Sequence, residues 1–151
     1  MALVIRPATR EDNAAVERLV EEAGLPLAGL GTAVLRVVAE DERGLAGVAA
    51  LEDHGTEDDR AFLLRSVVTR PDVRGTGVGA ALTRAALRHV DEVRAPVALL
   101  TETAERWFPR FGFRPVERGD LPPALAASEE LRGACPVSAR ALLRDPADPA
   151  E

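Results

Sequence analysis

The chain has 151 residues, 46% of them hydrophobic and 29% charged, which is enough for one domain with a real hydrophobic core. Its formal net charge of −6 argues against nucleic acid or an anionic membrane as a partner, and the absence of lysine and tyrosine removes any Schiff-base amine and any phenolic acid. A single cysteine, Cys135, excludes an internal disulfide framework, no signal peptide is visible, and no apolar run approaches the roughly 20 residues that span a bilayer, so the expectation is a cytoplasmic protein.

In chain order, ALVIRPA (2–8) opens as a short strand. Thr9 then caps a helix, with Asp12 completing a capping-box variant. Ala15, Val16, Leu19, Val20 and Ala23 recur at helical spacing until Gly24 and Pro26 end the run. GLPLAGLG (24–31) has the composition of a mobile loop. AVLRVVAE and GLAGVAALED, joined by DERG, predict an antiparallel hairpin. The nearly all-apolar AFLLRSVVT (61–69) predicts a central strand. A glycine segment follows and flows into a helix with Val78, Leu82, Ala86, Val90 and Val93 on one face. PVALLTE (96–102) predicts another buried strand. TAERWFPRF (103–111) predicts a short helix closed by Gly112, although Pro109 should kink or shorten it. Asp120 is placed to cap a further helix from Pro122, and PVSARALL reads as a last strand. The domain is expected over 1–144, with a flexible tail at 145–151. This order of elements describes a mixed α/β (α+β) sheet in one domain.

The glycine segment carries the chemistry. Gly75, Gly77 and Gly79 alternate with Thr76 and Val78 behind Arg74. A Walker-type loop needs a lysine and Ser/Thr after its last glycine; here Ala80 and Ala81 follow, and there is no lysine. Gly75-x-Gly77-x-x-Ala80 formally fits a loose dinucleotide pattern, yet hairpins stand upstream and the acids Asp91 and Glu92 fall inside the helix. A plain turn into a helix stays open as a third reading. Against it, arginines 65, 70, 74, 84 and 88 share the stretch from Leu63 to Val90 with a single acid, Asp72. A basic island at a helix N-terminus suits a phosphate-bearing ligand.

Arg74-x-x-Gly77-x-Gly79, behind an apolar strand and Pro71, resembles the pyrophosphate loop of the GNAT (Gcn5-related) acetyltransferases. AERWFPRFGF (104–113) resembles the later helix of that family, and the order of elements is similar throughout the chain. LLRSVVTRPDVRGTGVG, LLTETAERWFPRFGF and SEELRGACPVSARAL together resemble the small N-acetyltransferases associated with arsenic resistance, and through them the N-acetylglutamate synthase type of amino-acid acetyltransferase. The resemblance implies a single-domain GNAT fold with a central mixed sheet splayed at the acetyl-CoA site. It implies acetyl-CoA as co-substrate, no metal, and a small-molecule amine as acceptor, with monomer and homodimer both open. The acceptor would be an amino acid or an amino-acid-like compound, arsenic-containing and phosphinate analogues included. A cationic small amine, or a non-catalytic member that only binds coenzyme A, remains an alternative.

The same resemblance implies site residues. The pantetheine arm would lie along Val67, Val68 and Thr69, with an N–H near Val68 facing the thioester oxygen. Amides from Arg74 through Gly75, Thr76, Gly77, Val78, Gly79 and Ala80 would cradle the diphosphate. Two positions depart from the family pattern: Phe108 stands where many members carry a tyrosine acid, and Leu63 about where many carry a glutamate base. Ser66, Glu102, Glu105 and water are the remaining candidates for proton transfer, each equally readable as a solvated or capping group. Arg65, in an apolar strand, reads either as a fork for a substrate carboxylate or as a structural arginine paired with an acid. Alternation along the strand puts it with Leu63, Val67 and Thr69. Thr101 and Thr103 could bind a small polar substrate, with Thr103 alternatively a helix cap. His54 and His89 read as isolated surface residues, Cys135 as a small buried residue, and Trp107 and Phe111 as core.

Overall fold

The hairpin expected around DERG forms from β2 (Leu35–Asp41) and β3 (Gly44–His54), with Gly44 at φ 113 closing the two-residue turn. β1 (Val4–Pro7) joins its outer edge and β4 (Ala61–Thr69) its inner one, all antiparallel. β5 (Val97–Thr101) lies parallel to β4, because α2 (Val78–Val93) carries the chain back across the sheet between them. β6 (Arg114–Val116) and β7 (Arg140–Arg144) complete a seven-stranded sheet in the order β1-β2-β3-β4-β5-β7-β6. The computed structural model describes residues 2–56 and 58–146; of the tail expected at 145–151, residues 147–151 lie outside the described residues.

Helices cover both faces. α1 (Asn13–Glu22) follows a 3-10 turn at Arg10–Asp12, whose start is fixed as expected: the Thr9 N–H donates to the Asp12 carboxylate at 2.7 Å. Val16 and Val20 of α1 pack on Val38, Val48, Ala50 and Val68. α2 buries Val78, Leu82, Ala86 and Val90 against Val37, Leu51, Phe62 and Leu64 on the opposite face. Val93, expected on that face, is 40% exposed. It is the last helical residue, and Arg94 turns the chain away in a left-handed conformation at φ 53.

Several expectations are corrected at their edges. β6 escapes the sequence reading because it is three residues long and contains Pro115, which is tolerated only because β6 is an edge strand. The helix expected over 103–111 narrows to a 3-10 turn, Phe108–Phe111, where Pro109 lacks the donor a longer helix needs. Gly112 closes it at φ 95, as expected. The segment after Asp120 forms only a 3-10 turn, Pro123–Ala127. Leu125 of that turn packs with Leu63, Ala98, Ala141 and Leu143 in a third cluster.

Candidate active site

β4 and β5 stay together for two pairs only, Phe62↔Val97 and Leu63↔Ala98. Beyond them the strands part, and a cleft of about 790 Å³ opens between Leu64–Thr69 on one side and Leu99–Thr103 on the other. The start of α2 closes one end. The turn around Glu130 and Cys135 closes the other.

A bulge in β4 sets what faces this cleft. Ala50 pairs with Arg65 and Val48 with Val68, so Ser66 and Val67 together stand opposite Ala49, with Ser66 in the left-handed region at φ 57. The extra residue inverts the alternation. Phe62 and Leu64 face α2 before the bulge, and Val67 packs into that same cluster after it, while Val68 joins the α1 cluster. The expectation that Arg65 shares a face with Val67 and Thr69 is therefore corrected. The main chain is re-aimed too. The Arg70 N–H bonds to Ala46 O, and Val68 pairs with Val48 two residues earlier. Antiparallel main-chain groups alternate edges, so the Val68 N–H faces β3 and the Val67 and Thr69 N–H groups face the cleft. Near Val68, the amide that faces the cleft is therefore that of Val67.

At the α2 end, Gly75 (φ 79) and Gly77 (φ 91) hold left-handed conformations, and a Cβ at either would meet nothing within 4 Å. These glycines are required by backbone shape, not by room. The first helical bond runs from the Ala81 N–H to Gly77 O, so the Val78, Gly79 and Ala80 N–H groups have no acceptor within the helix. Two expected amides are already engaged: Thr76 N–H donates to Val73 O at 3.2 Å and Arg74 N–H to Pro71 O at 3.4 Å. The Thr76 hydroxyl also donates to Val73 O.

The basic island is less basic than the sequence implies. Arg70 is held by Asp41 at 2.6 Å and Asp72 at 2.7 Å, and it keeps both carboxyls below their ordinary range. Arg84 lies over the Phe111 ring at 5.4 Å. Arg74 lines the cleft.

At the other end Arg65 is paired with acids, the second of its two expected settings. Its side chain is fully buried. Its NH1 donates to Glu52 Oε2 at 2.8 Å and to Ala28 O, its NH2 to Pro26 O at 2.7 Å, and its Nε to Ser66 Oγ at 3.1 Å. Glu130 Oε2 lies 3.3 Å from the same Nε. Loop 24–31, expected to be mobile, is thereby tied through two carbonyls to the central strand. Burial raises the Glu52 carboxyl, but bonds from His54, Arg65 and Ser128 outweigh it and hold it below its ordinary range. Burial pushes the Glu130 carboxyl up, against the pull of Arg65. His54, expected to stand alone, lies 2.8 Å from Glu52 Oε1.

The remaining candidates line the same cleft. Phe108 is buried in its wall, edge-on to Trp107 at 4.9 Å, and Trp107 itself is only partly buried. Thr101 Oγ1 accepts the Ala104 N–H at 3.0 Å, so Thr101 rather than Thr103 caps this turn. Glu102 is exposed at the rim, 3.4 Å from the Ser138 hydroxyl. Cys135 is half-buried, its thiol pushed up to about 12 by burial and by Glu130. Among the described residues, no group of three or more His, Cys, Asp or Glu is placed to hold a metal ion, and no helix is long and apolar enough to cross a membrane. Glu130 and Glu52 are the site residues missed in the sequence. The available signal was Arg65 itself, a charge on an apolar strand that requires buried acids.

The site is thus a sheet opened between two parallel strands, beside a glycine-started helix. The model of the Acetyltransferase (GNAT) domain matches residues 31–115, more than half of the chain, and the chain belongs to the GNAT acetyltransferase family. No curated protein matches it in sequence. Its fold is similar to N-acetylglutamate synthase from Neisseria gonorrhoeae complexed with coenzyme A and N-acetyl-glutamate, with TM-score 0.79 and 20% identity. That match covers 98% of this chain but 36% of the other, so the chain spans about a third of that enzyme's length. It is also similar to Rv2747 from Mycobacterium tuberculosis, a complex with CoA, at TM-score 0.74 and 22% identity over 94% of this chain and 98% of that one. A GNAT acetyltransferase from Brucella melitensis in complex with acetyl-CoA matches at TM-score 0.62 and 24% identity, over 75% and 83% of the two chains.

Proposed function

We propose that the chain transfers the acetyl group of acetyl-CoA to the primary amine of a small amino acid or amino-acid-like compound, and that it does so in the cytoplasm. One observation carries the reading. The same cleft runs from free amides at the start of α2, past unpaired backbone of β4, to a buried ionic cluster. That sequence of surfaces suits a diphosphate, an extended amide-bearing arm and a polar acceptor, in that order. Its fold relatives were seen with CoA or acetyl-CoA, and the Neisseria enzyme with N-acetyl-glutamate.

In this reading the amides of Gly77, Val78, Gly79 and Ala80, with Gly75 shaping the loop and Arg74 beside it, hold the diphosphate. The Val67 C=O and the N–H and C=O groups of Thr69 pair with the pantetheine amides as a further strand would. The Val67 N–H then meets the thioester oxygen and stabilises the oxyanion as the carbonyl carbon becomes tetrahedral. The Thr101 and Thr103 hydroxyls and exposed Glu102 border the acceptor. With Phe108 in place of a phenol, the departing thiolate takes its proton from the attacking nitrogen or from water.

A second reading, a cationic small amine as acceptor, is favoured by the engagement of Arg65 and by Glu102 and Glu130 on the cleft wall. One panel separates the two: L-glutamate, L-glutamine and their decarboxylated counterparts against putrescine and spermidine, followed by release of CoA thiol. Preference for the free α-carboxylate supports the amino-acid reading. Preference for polyamines transfers the assignment to the second. Acetyl-CoA that binds and is passed to none of them contradicts both.

A further inference from the structure

Two carboxylates line the cleft, and they differ in setting. Glu102 stands exposed at the rim, whereas Glu130 is 4% exposed and sits where the cleft meets the bulge of β4. Arg65 Nε joins the two features: it donates to Ser66 Oγ at 3.1 Å and lies 3.3 Å from Glu130 Oε2. Ser66 immediately precedes Val67, whose N–H faces the cleft. The carboxylate and the acyl-facing amide therefore flank one bulge.

The ionic cluster also sets two carboxylates against one guanidinium. Glu52 and Glu130 share a single guanidinium, and Glu52 has the better bonds: 2.8 Å to Arg65 NH1 and 2.8 Å to His54, with Ser128 donating as well. Glu130 has the edge of Arg65 and the Cys135 thiol. Of the two, Glu130 is the group that can gain and lose a proton without dismantling the cluster.

Resting on the acetyl-transfer reading above, we propose that Glu130 is the catalytic proton acceptor for the amine, with Arg65 and Glu52 as its positioning residues. The acceptor enters as R–NH3+ and gives one proton to the Glu130 carboxylate, directly or through one water. The freed lone pair forms the N–C bond at the thioester carbonyl, whose oxygen becomes the oxyanion at the Val67 N–H. Collapse breaks the C–S bond, and the electron pair leaves on sulfur. The thiolate takes the second proton shed by nitrogen, giving amide and CoA thiol, and the Glu130 proton passes to water. This supplies the base that Leu63 cannot, from a turn far along the chain. The raised affinity of Glu130 for protons is in the direction the role needs. The charged and titratable groups facing it are Arg65 from β4, Glu52 from β3 and Cys135 from its own turn.

The test is Glu130→Gln in the full chain, with L-glutamate and putrescine as acceptors and acetyl-CoA binding measured by calorimetry. The expected result is unchanged acetyl-CoA affinity and a kcat lower by about a hundredfold or more at neutral pH. The wild-type kcat/KM should fall on the acid side through an ionisation above the ordinary carboxylate range. In Glu130→Gln that limb should vanish, and the rate should recover to within about tenfold at alkaline pH, where the amine is already neutral. Glu52→Gln provides the second measurement. Removing the neighbouring negative charge should shift the acid limb to lower pH while keeping it, an effect that a merely structural cluster would not produce. Wild-type pH dependence in Glu130→Gln, with full activity, overturns the assignment and leaves the acetyl-transfer reading standing. Wild-type protein that binds acetyl-CoA yet acetylates neither acceptor overturns both, and loss of acetyl-CoA binding in the folded Glu130→Gln protein overturns the acceptor-side placement of this residue.

Discussion

At the α2 end of the cleft, the groups offered to a ligand are main-chain amides, set by three glycines within five positions. The opposite end is built on side chains and carbonyls gathered from β3, β4, loop 24–31 and the turn at Glu130 and bonded to one another. The first kind of site is local: residue types that permit φ near 80–90° and a helix that starts there are sufficient. The second exists only once the sheet has formed, because its parts meet through topology. A local site tolerates change elsewhere in the chain. A gathered one couples binding to stability.

The largest expected effect tests that coupling. Arg65→Met keeps most of the volume but leaves two buried carboxylates without their guanidinium and frees the Pro26 and Ala28 carbonyls. Breaking a buried ionic cluster in this way should cost about 3–5 kcal/mol, read as the loss in free energy of chemical unfolding. Hydrogen exchange in 24–31 should rise with it. A loss under about 1 kcal/mol would mean that the two ends are built alike.

Gly77→Asp probes the other end. An added carboxylate opposes the diphosphate, and φ 91 is a backbone conformation that residues with side chains rarely adopt. Acetyl-CoA binding should weaken by about a hundredfold or more, about 2.7 kcal/mol, while the backbone strain costs roughly 1–2 kcal/mol of stability. Unchanged affinity in a folded variant would sink the loop assignment.

Acid should separate the two regions less sharply. Arg6 bonding, with Thr9 N–H second, holds Asp12 well below the ordinary carboxylate range, and Arg70 does the same for Asp41 and Asp72. Folded-state affinities for protons that are too low give stability that is complete above about pH 4 and lost as the pH falls through the depressed values. Glu130, raised, works in the opposite sense: its stabilising contribution is complete below the ordinary value and lost as the pH rises through the folded one. Melting temperature should therefore drop on acidification below about pH 4, and Asp41→Asn should flatten that drop. An equally steep acid loss in Asp41→Asn would remove this pair from the account.

The smallest effect is expected at Phe108→Tyr. If the thiolate needs no side-chain acid, the added phenol should change kcat by less than about tenfold, or about 1.4 kcal/mol of barrier. A gain of several hundredfold would show instead that the missing phenol limits the enzyme.

The contrast also explains what could be read from the sequence. The hairpin of β2 and β3, the central apolar β4, the glycine entry to α2 and the Gly112 cap are all legible because each is dictated by residues within a few positions of one another. The Ser66 bulge is not, since no glycine marks its left-handed backbone, and missing it puts Arg65 on the wrong face. β6 is hidden by Pro115 and by its length. Glu130 lies in SEELRGACP, where nothing local sets it apart from neighbouring Glu129; only folding buries one and leaves the other exposed. Arg65 could have pointed to it, since an arginine on an apolar strand demands more than one buried partner.

The central claim is that one cleft, opened where β4 leaves β5, receives coenzyme A along β4 and at the start of α2. Titration of coenzyme A into 15N-labelled protein, followed at each backbone amide, tests it most directly. The largest shifts should fall on Val67 and Thr69 and on Gly75 and Gly77 through Ala80, with smaller ones at Thr101 to Ala104 across the gap. Saturable binding whose shifts cluster elsewhere, with those amides unmoved, would contradict it.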